Sequence, residues 1–375
     1  MGSGNRFNSP DCIRGAVGKI RRMKMGSAYT GTLPPGCVLC EKGAKMVLLV
    51  TGRCARRCGY CPLSAQKKGK DVFFANERRI RGVGEAIEEA GLMDALGTGV
   101  TGGDPLIAVQ RTADSIRALK KRFGDGHHVH LYTSTTDRDR IDRVARAGLD
   151  EIRFHPPVGL WARLDGTAFA GALRLSKRRG MTAGFEVPAI PGRAKGLSAL
   201  VRSADALGAD FVNLNELEFS ETNWRALRGM GFDVKDDVSS AVAGSEELAM
   251  GVLRSGASVP LHYCSSAFKD GVQLRRRIAR RARNVRRPHE VLTHDGTLLK
   301  GVVETADPEG VAGMLIMDFD VPPRLLCIDR EKGRLEVAPW VLEELAPGLT
   351  LDSYIVEEYP TADRLEVERT PLRRR

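Results

Sequence analysis

Residues 46–63 read MVLLVTGRCARRCGYCPL, an apolar run that passes through Thr51-Gly52 straight into three cysteines, Cys54, Cys58 and Cys61. Met46 to Val50 is aliphatic and partly β-branched and is closed by a turn signal, the pattern of a strand buried on both faces. The cysteines then fall on the loop past the carboxyl end of that strand, spaced C-x3-C-x2-C. Thiolates are soft ligands suited to iron–sulfur clusters or to zinc. A four-iron cluster normally takes four of them, so three on one loop can hold three irons and leave the fourth open. Taken alone, the triad is also compatible with a zinc knuckle, because C-x2-C pairs are common zinc ligands.

With an aromatic residue, Tyr60, before its last cysteine, the triad resembles the hallmark of the radical S-adenosylmethionine (SAM) superfamily. The resemblance implies that Cys54, Cys58 and Cys61 bind a [4Fe-4S] cluster whose open iron chelates the amino and carboxylate groups of SAM. It implies reductive cleavage of the sulfonium to a 5′-deoxyadenosyl radical, hydrogen-atom abstraction from a substrate, and an electron donor such as ferredoxin or flavodoxin. In such enzymes the chemistry belongs to the cofactor, and the protein supplies position and a dry cavity. A second apolar segment, ALGTGV, ends in Thr101-Gly102-Gly103-Asp104-Pro105. Two glycines let the backbone approach a ligand closely, and the carboxylate can accept bonds from an ammonium group. The stretch resembles the superfamily's GGE motif, with Asp104 where Glu is usual, and so places Tyr60, Gly102, Gly103 and Asp104 at the SAM site.

The chain of 375 residues, 42% hydrophobic with 41 glycines, exceeds one average domain and can bury a large core. It has no apolar run of about 18 residues, and its first residues, MGSGNRFNSPDC, lack a signal peptide's apolar centre, so a cytoplasmic protein without membrane contact is expected. Eight cysteines are then better used on metal than in disulfides. A net charge of +11 points to an anionic partner, RNA or phosphorylated metabolites, or to a solubilising surface.

Beyond the second strand, helical and strand-like stretches alternate. Thr112 to Arg122 leads to HHVHLYTST, Arg138 to Ala147 to EIRFHPP, Ala168 to Arg179 to MTAGFEVPAIPG, and Leu197 to Leu207 to ADFVNLNELEFS. With the first two strands this makes six β–α units, an α/β chain expected to form a partial (β/α)6 TIM-like barrel with its site at the carboxyl ends of the strands. The period of two turns His130, Tyr132 and Ser134 inward, then Arg153 and His155, Glu186, and Asn213 and Asn215, with Glu216 and Glu218 at the exit. A purely structural barrel fills such positions with Val, Ile and Leu, so the lumen is expected to bind a polar ligand. In radical SAM relatives middle-strand polar residues hold the cofactor, which carries over to Ser134, Arg153 and Glu186. His155, Asn213, Asn215 and Glu216 are candidates for the second substrate, with satisfied internal hydrogen bonds as the alternative for each.

Residues 1–45 form an extension with Cys12 and a C-x2-C pair, Cys37 and Cys40, in a Gly/Pro-flanked turn. Such a pair is half of a zinc or rubredoxin-like site, and Cys264 or His262 of LHYCSS can complete it, which makes a second metal, zinc or iron–sulfur, a candidate. Cys264 can equally be a hydrogen-atom donor or a buried thiol, and ASVPLHYCSS a seventh strand or an edge addition. SSAVAGSEELAMGVLRSG before it reads as a helix. Residues 268–287, FKDGVQLRRRIARRARNVRR, carry nine Lys or Arg and one acid. Leu274, Ile278, Ala282 and Val285 share one stripe, the mark of an amphipathic helix whose basic outer face can track phosphates or lie in solvent.

The expected organisation is an extension over 1–45, a core barrel over 46–265, the basic helix over 266–287, and a small β-rich C-terminal domain over 288–375 with hairpins at Asp295-Gly296 and in LLCIDREKGRLEV. GFEVPAIPG, FVNLNELEFSETN and HYCSSAFKDGVQLR resemble an archaeal group of radical SAM proteins related to pyruvate formate-lyase activating enzymes, a likeness that names no substrate. The expected function is radical SAM chemistry on an unidentified substrate, with RNA as one candidate and a partner protein that carries a glycyl radical as another. A non-catalytic, zinc-stabilised RNA-binding protein is the non-enzymatic alternative.

Overall fold

A computed structural model describes residues 19–236 and 239–372, so Cys12 lies outside the described residues. Seven strands run parallel in sequence order: β1 (Lys45–Leu49), β2 (Gly97–Thr101), β3 (His128–Thr133), β4 (Glu151–Phe154), β5 (Thr182–Ala189), β6 (Val212–Glu216) and β7 (Leu261–Cys264). The expected six units are present, and the LHYC segment adds a seventh parallel strand beside β6. The segment 239–256 is helical only over Ser245–Leu253. Gly244, at φ 83°, turns the chain into that helix from two bridges, Glu218 with Ala241 and Val234 with Val242.

Helices cover the outside of this sheet and bury their apolar stripes on it. Ile141 and Val144 do so from Arg138–Arg146, and Leu197, Leu200, Val201 and Ala204 from Ala194–Ala206. Val129, Leu131, Ile152, Phe154, Phe185, Val187, Val212 and Leu214 all point into that outer layer and are fully buried. Alternation along each strand therefore leaves the polar residues facing the lumen.

The barrel does not close strand to strand. A hairpin, Phe74–Ala75 with Arg78–Arg79, pairs antiparallel with β1 at one edge, and Ala28–Tyr29 pairs antiparallel with β7 at the other. The segment that follows β7 bridges the two edges. Ser265 donates its N–H to Ser27 Oγ at 2.9 Å, and Arg277 pairs with Glu77 in the hairpin turn.

The N-terminal helix Pro35–Glu41 sits inside the barrel at the amino ends of the strands. Its Gly36 N–H donates to Glu151 Oε2 at 3.1 Å, and a Cβ on Gly36 would lie 2.4 Å from His130 Nδ1. Gly97 and Gly99 of β2 leave the space in which Leu39 and His130 lie.

The basic helix Arg275–Val285 buries Ile278 and Ala282, as its stripe requires, and most of its arginines are paired. Arg275 pairs with Asp295, Arg276 with Glu41, Arg277 with Glu77, Arg280 with Asp94 and Arg281 with Glu89. Barrel and C-terminal carboxylates thus supply counter-charges to most of the face that the sequence offered to phosphates or solvent, while Arg283 and Arg286 stay exposed. C-terminal to it lies an antiparallel sheet whose strands include β8 (Leu298–Glu304), β9 (Leu326–Asp329), β10 (Arg334–Val337), β11 (Asp352–Glu358) and β12 (Glu366–Pro371). Two helices absent from the sequence reading, Pro308–Phe319 and Pro339–Leu345, pack on it. No helix among the described residues is long and apolar enough to cross a membrane.

Candidate functional site

The loop after β1 is held in shape from two sides. Gly52 passes so close to the turn at Lys67–Lys70 that a Cβ there would lie 1.6 Å from the Lys67 carbonyl oxygen. From the opposite side Thr222 Oγ1 donates to the Leu63 carbonyl at 2.8 Å, and Asn223 Nδ2 to the Tyr60 carbonyl at 3.2 Å. The sequence reading passed over Thr222 and Asn223, and their only signal is Ser-x-x-Asn chemistry in an irregular stretch. Cys54 is exposed, Cys58 and Cys61 are half-buried, and all three are free thiols. Burial pushes the Cys54 thiol up from its ordinary value.

These thiols border a cavity of about 1100 Å3 that runs down the lumen. Tyr60, Gly102, Gly103, Ser134, Arg153, His155, Glu186, Asn213, Asn215 and Glu216 line the same cavity, so the structure brings together nearly every residue singled out from the sequence. Arg56, Arg57, Lys67 and Lys68 form its basic rim. Nearly all the inward polar residues hold one another. Arg153 donates from Nε to Glu151 at 2.6 Å and from Nη1 to Glu186 at 2.8 Å, while Asn213 and Asn215 donate to Glu186 at 2.9 and 2.8 Å. Burial works to raise the Glu186 carboxyl, but the Arg153 guanidinium and the two amides outweigh it and hold it below the usual carboxylate range. Glu216 accepts from Ser266 N at 2.7 Å, and so also braces the segment after β7.

Asp104 is tied into the protein on both carboxylate oxygens. Its carboxylate is buried and accepts from Leu106 N at 3.1 Å, Thr133 Oγ1 at 2.7 Å, and Ser134 N and Oγ at 3.2 and 3.1 Å. With four protein donors on its two oxygens, it clamps the β2 turn to β3. The two glycines are likewise needed for close backbone packing. A Cβ on Gly102, which has φ 153°, would lie 2.2 Å from the Thr51 carbonyl oxygen, and one on Gly103 would lie 2.3 Å from that of Arg53. Their peptides still border the cavity.

Cys37, Cys40, His262 and Cys264 line the deeper part of the cavity wall. Cys37 Sγ accepts from Arg153 Nη2 at 3.4 Å and from Asn213 Nδ2 at 3.5 Å. Gln273 lies between the other two thiols, accepting from Cys40 at 2.9 Å and donating to Cys264 at 3.5 Å. Burial pushes the Cys37 thiol up to about 11 and that of Cys264 up to about 12. Among the described residues, the one trio of potential metal-ligand atoms mutually within 4.8 Å is elsewhere, at His289, Cys327 and Glu336. There Lys300 and Arg334 already neutralise Glu336, and the trio is an ion-pair site.

The donor set at the cavity mouth fits a cluster: three free soft thiols on one short loop, open to a polar lumen with room for a nucleoside-sized ligand. A parallel barrel with such a triad at the carboxyl end of its first strand defines a class of iron–sulfur enzyme. A family model described as the radical SAM superfamily matches residues 48–156, and one described as a domain of unknown function, DUF8061, matches residues 296–372. Over 359 residues the chain is 41% identical to a protein of Methanocaldococcus jannaschii provisionally described as a glycyl-radical enzyme activating enzyme, covering 91% of this chain and 93% of that protein.

Solved structures similar to the chain include SuiB of Streptococcus suis bound to S-adenosylmethionine (TM-score 0.40, 12% identity, 59% of this chain and 50% of that one). Another is the hydrogenase maturase HydG of Carboxydothermus hydrogenoformans (TM-score 0.36, 14% identity, 52% of each chain). At these TM-scores the likeness adds nothing to what the chain's own residues show. The chain belongs to the radical SAM superfamily, in the group of the M. jannaschii relative. It is an enzyme with a [4Fe-4S] cluster and SAM as cofactors and a need for an electron donor, which removes the zinc-stabilised binding protein as an account of it.

Proposed function

We propose that Cys54, Cys58 and Cys61 hold the [4Fe-4S] cluster at the mouth of the lumen, and that the enzyme activates a partner protein by placing a glycyl radical on it. The observation that carries this reading is the single cavity shared by the three thiols and the inward polar residues of β3 to β7. The description of the M. jannaschii relative supplies the substrate class. When bound, the cluster supplies the electron that breaks the SAM sulfonium bond and yields the 5′-deoxyadenosyl radical.

The chain's own residues position and shield. Tyr60, Gly102, Gly103 and Ser134 border SAM near the triad, and Arg153 and Glu186 present a rigid, charge-balanced wall that needs no reorganisation when ligand arrives. Asp104 serves this site through Ser134 and Thr133 rather than by contact. His155, Asn213, Asn215 and Glu216 lie on the substrate side of the same wall. The exposed Cys54 edge, flanked by Arg53, Arg56 and Arg57, suits an acidic electron donor such as ferredoxin or flavodoxin. Free cysteines and an oxygen-sensitive cluster suit the cytoplasm. RNA is the less supported substrate, because most of the arginines that suggested it are paired within the chain.

The test is anaerobic reconstitution followed by an assay for 5′-deoxyadenosine with SAM and dithionite, in wild type and Cys58→Ala. Formation that vanishes in the variant supports the triad; equal formation in both would overturn it. Incubation with a glycyl-radical protein from the same genome should then give a carbon-centred doublet in the electron paramagnetic resonance spectrum. Absence of any such partner gene would sink the activating role while leaving SAM cleavage intact.

A further inference from the structure

Deep in the lumen four soft or borderline donors form a ring that the radical chemistry at the mouth does not use. Cys37 and Cys40 project from one face of the N-terminal helix, three residues apart, and His262 and Cys264 project two residues apart from β7. The ring is closed by contacts. Cys37 touches Asn213, Asn213 is in register with His262 on the neighbouring strand, and Gln273 joins Cys264 back to Cys40.

Two observations say that this ring is built for a ligand. His262 is 3% exposed, lines the cavity, and has neither ring nitrogen partnered, while the buried Asn213 Oδ1 beside it is also without a partner. Three unsatisfied buried polar atoms at one spot are rare in a native fold and mark a missing partner. The other observation is the setting of Cys37, whose sulfur receives one guanidinium N–H and one amide N–H. Donors aimed at sulfur favour a ligating thiolate and are the usual surroundings of a cluster.

We infer that Cys37, Cys40 and Cys264, with His262 as fourth ligand, bind a second iron–sulfur cluster within the barrel. The spread of these donors suits a cluster better than a single zinc ion. Zinc–sulfur bonds of about 2.3 Å in a tetrahedron bring sulfurs to roughly 3.8 Å of each other. No three of these donors lie mutually within 4.8 Å, whereas a cluster spreads its ligands over separate irons. The Gln273 carboxamide between Cys40 and Cys264 swings aside on binding, and Arg153 Nη2 and Asn213 Nδ2 keep their bonds to the Cys37 sulfur. The site is independent of the triad at the mouth.

The full chain carrying Cys54→Ala, Cys58→Ala and Cys61→Ala together, reconstituted without oxygen with ferrous iron and sulfide, should keep about four iron and four sulfide per chain and stay brown. Adding Cys37→Ala and Cys264→Ala should remove both. A triad variant that binds no iron, iron that survives the added substitutions, or zinc in place of iron would each overturn the second cluster. If the triad variant does not fold, the wild-type protein decides, because it should take up about eight iron per chain and a content near four overturns the assignment. His262→Asn in the wild-type chain should shift the signal of one cluster and leave the other unchanged; an unshifted spectrum removes His262 as a ligand. None of these readouts depends on SAM cleavage, so failure here and failure of the triad at the mouth are distinguishable.

Discussion

The Tyr60 hydroxyl lies 2.9 Å from Nε2 of His155, whose Nδ1 lies 2.9 Å from the main-chain oxygen of Glu186. A carbonyl only accepts, so Nδ1 carries the proton, Nε2 is the acceptor, and the phenol donates to it. The cysteine loop and the middle of the barrel are thereby joined through one neutral imidazole. Tyr60→Phe should lower stability by about 1 kcal/mol in urea unfolding, and leave iron uptake unchanged because Tyr60 is not a ligand. Burial holds the His155 ring below its ordinary pKa, so its contribution is complete above roughly pH 6.5 and is lost progressively as pH falls below that value toward the lowered folded-state pKa. His155→Gln should remove part of the wild type's loss of melting temperature between pH 7.5 and 5.5. An undiminished slope in that variant would show that His155 is not the titrating group.

Asn223 is fully buried and donates to the carbonyls of Tyr60 and Glu218, so one side chain ties the cysteine loop to the end of β6. Asn223→Ala leaves two carbonyls without this donor, at about 1–3 kcal/mol. The expected outcome is faster bleaching of the reconstituted cluster in air, by several-fold, with the initial iron content preserved. Thr222→Val, which removes the donor to Leu63, should act in the same direction. Equal bleaching rates in wild type and both variants would mean that the loop is held elsewhere.

What could be read from the sequence and what could not divides by range. Strand alternation is a local property, and it put Tyr132, Ser134, Arg153, Glu186 and Asn215 in the lumen while sending Leu131 and Phe185 outward. The triad is local too. The bonding of Asp104 was not legible, because its partners Thr133 and Ser134 lie at and just past the end of the next strand, about thirty residues on, and nothing in Gly-Gly-Asp-Pro announces them. The pairing of the basic helix was hidden for the same reason, since Glu89 and Asp94 neutralise Arg281 and Arg280 across a sequence gap of nearly two hundred residues. Charge counted along the chain says nothing of charge already paired in space.

Gly103 and Gly91 should respond oppositely to the same substitution. A Cβ on Gly103 would meet the Arg53 carbonyl at 2.3 Å, and backbone must move to admit it. Gly103→Ala should cost at least about 2–3 kcal/mol and reduce iron retention, because the displaced peptide adjoins Cys54. Gly91 lies in the helix Val83–Leu92 with nothing within 4 Å of its Cβ position, and Ala there should stabilise by about 0.5–1 kcal/mol. Urea midpoints for the two variants check the pair, and a shift of the same sign in both would contradict the close approach at Gly103.

Arg281 is buried, with Nε and Nη2 on Glu89 at 2.9 and 3.0 Å and Nη1 on the carbonyl of Pro360. It joins the basic helix to the barrel and to the C-terminal sheet together. Arg281→Ala leaves a buried Glu89 without its counter-charge and should cost about 3–5 kcal/mol, seen as an earlier, separate unfolding of the C-terminal part by calorimetry. Arg283, exposed on the same helix, should change stability by no more than about 0.5 kcal/mol on the same substitution. Equal losses at both positions would show that the helix acts through general charge rather than through this pair.

Lys300 stands at the centre of the C-terminal sheet with its ammonium 3.2, 2.8 and 2.7 Å from Glu290, Glu336 and Glu358, all four side chains buried. Burial works to raise the Glu336 carboxyl, and hydrogen bonding to His289 with the charge of Lys300 outweighs it, holding the group well below the ordinary carboxylate range. A depressed folded-state pKa contributes stability above the unfolded value of about 4.3, and that contribution is lost as pH falls below it. Lys300→Met keeps the length of the side chain but leaves the three carboxylates facing one another, at about 3–5 kcal/mol near neutral pH. In the variant the sign reverses. Mutual repulsion raises the carboxyl pKa values, so a proton taken up as pH falls relieves it and stability is regained. Melting temperatures of the two proteins should therefore lie far apart at pH 7.5 and converge toward pH 5. A separation that stays constant over that interval would mean that Arg334 and Arg364, which also touch this cluster, suffice to hold the carboxylates ionised without Lys300.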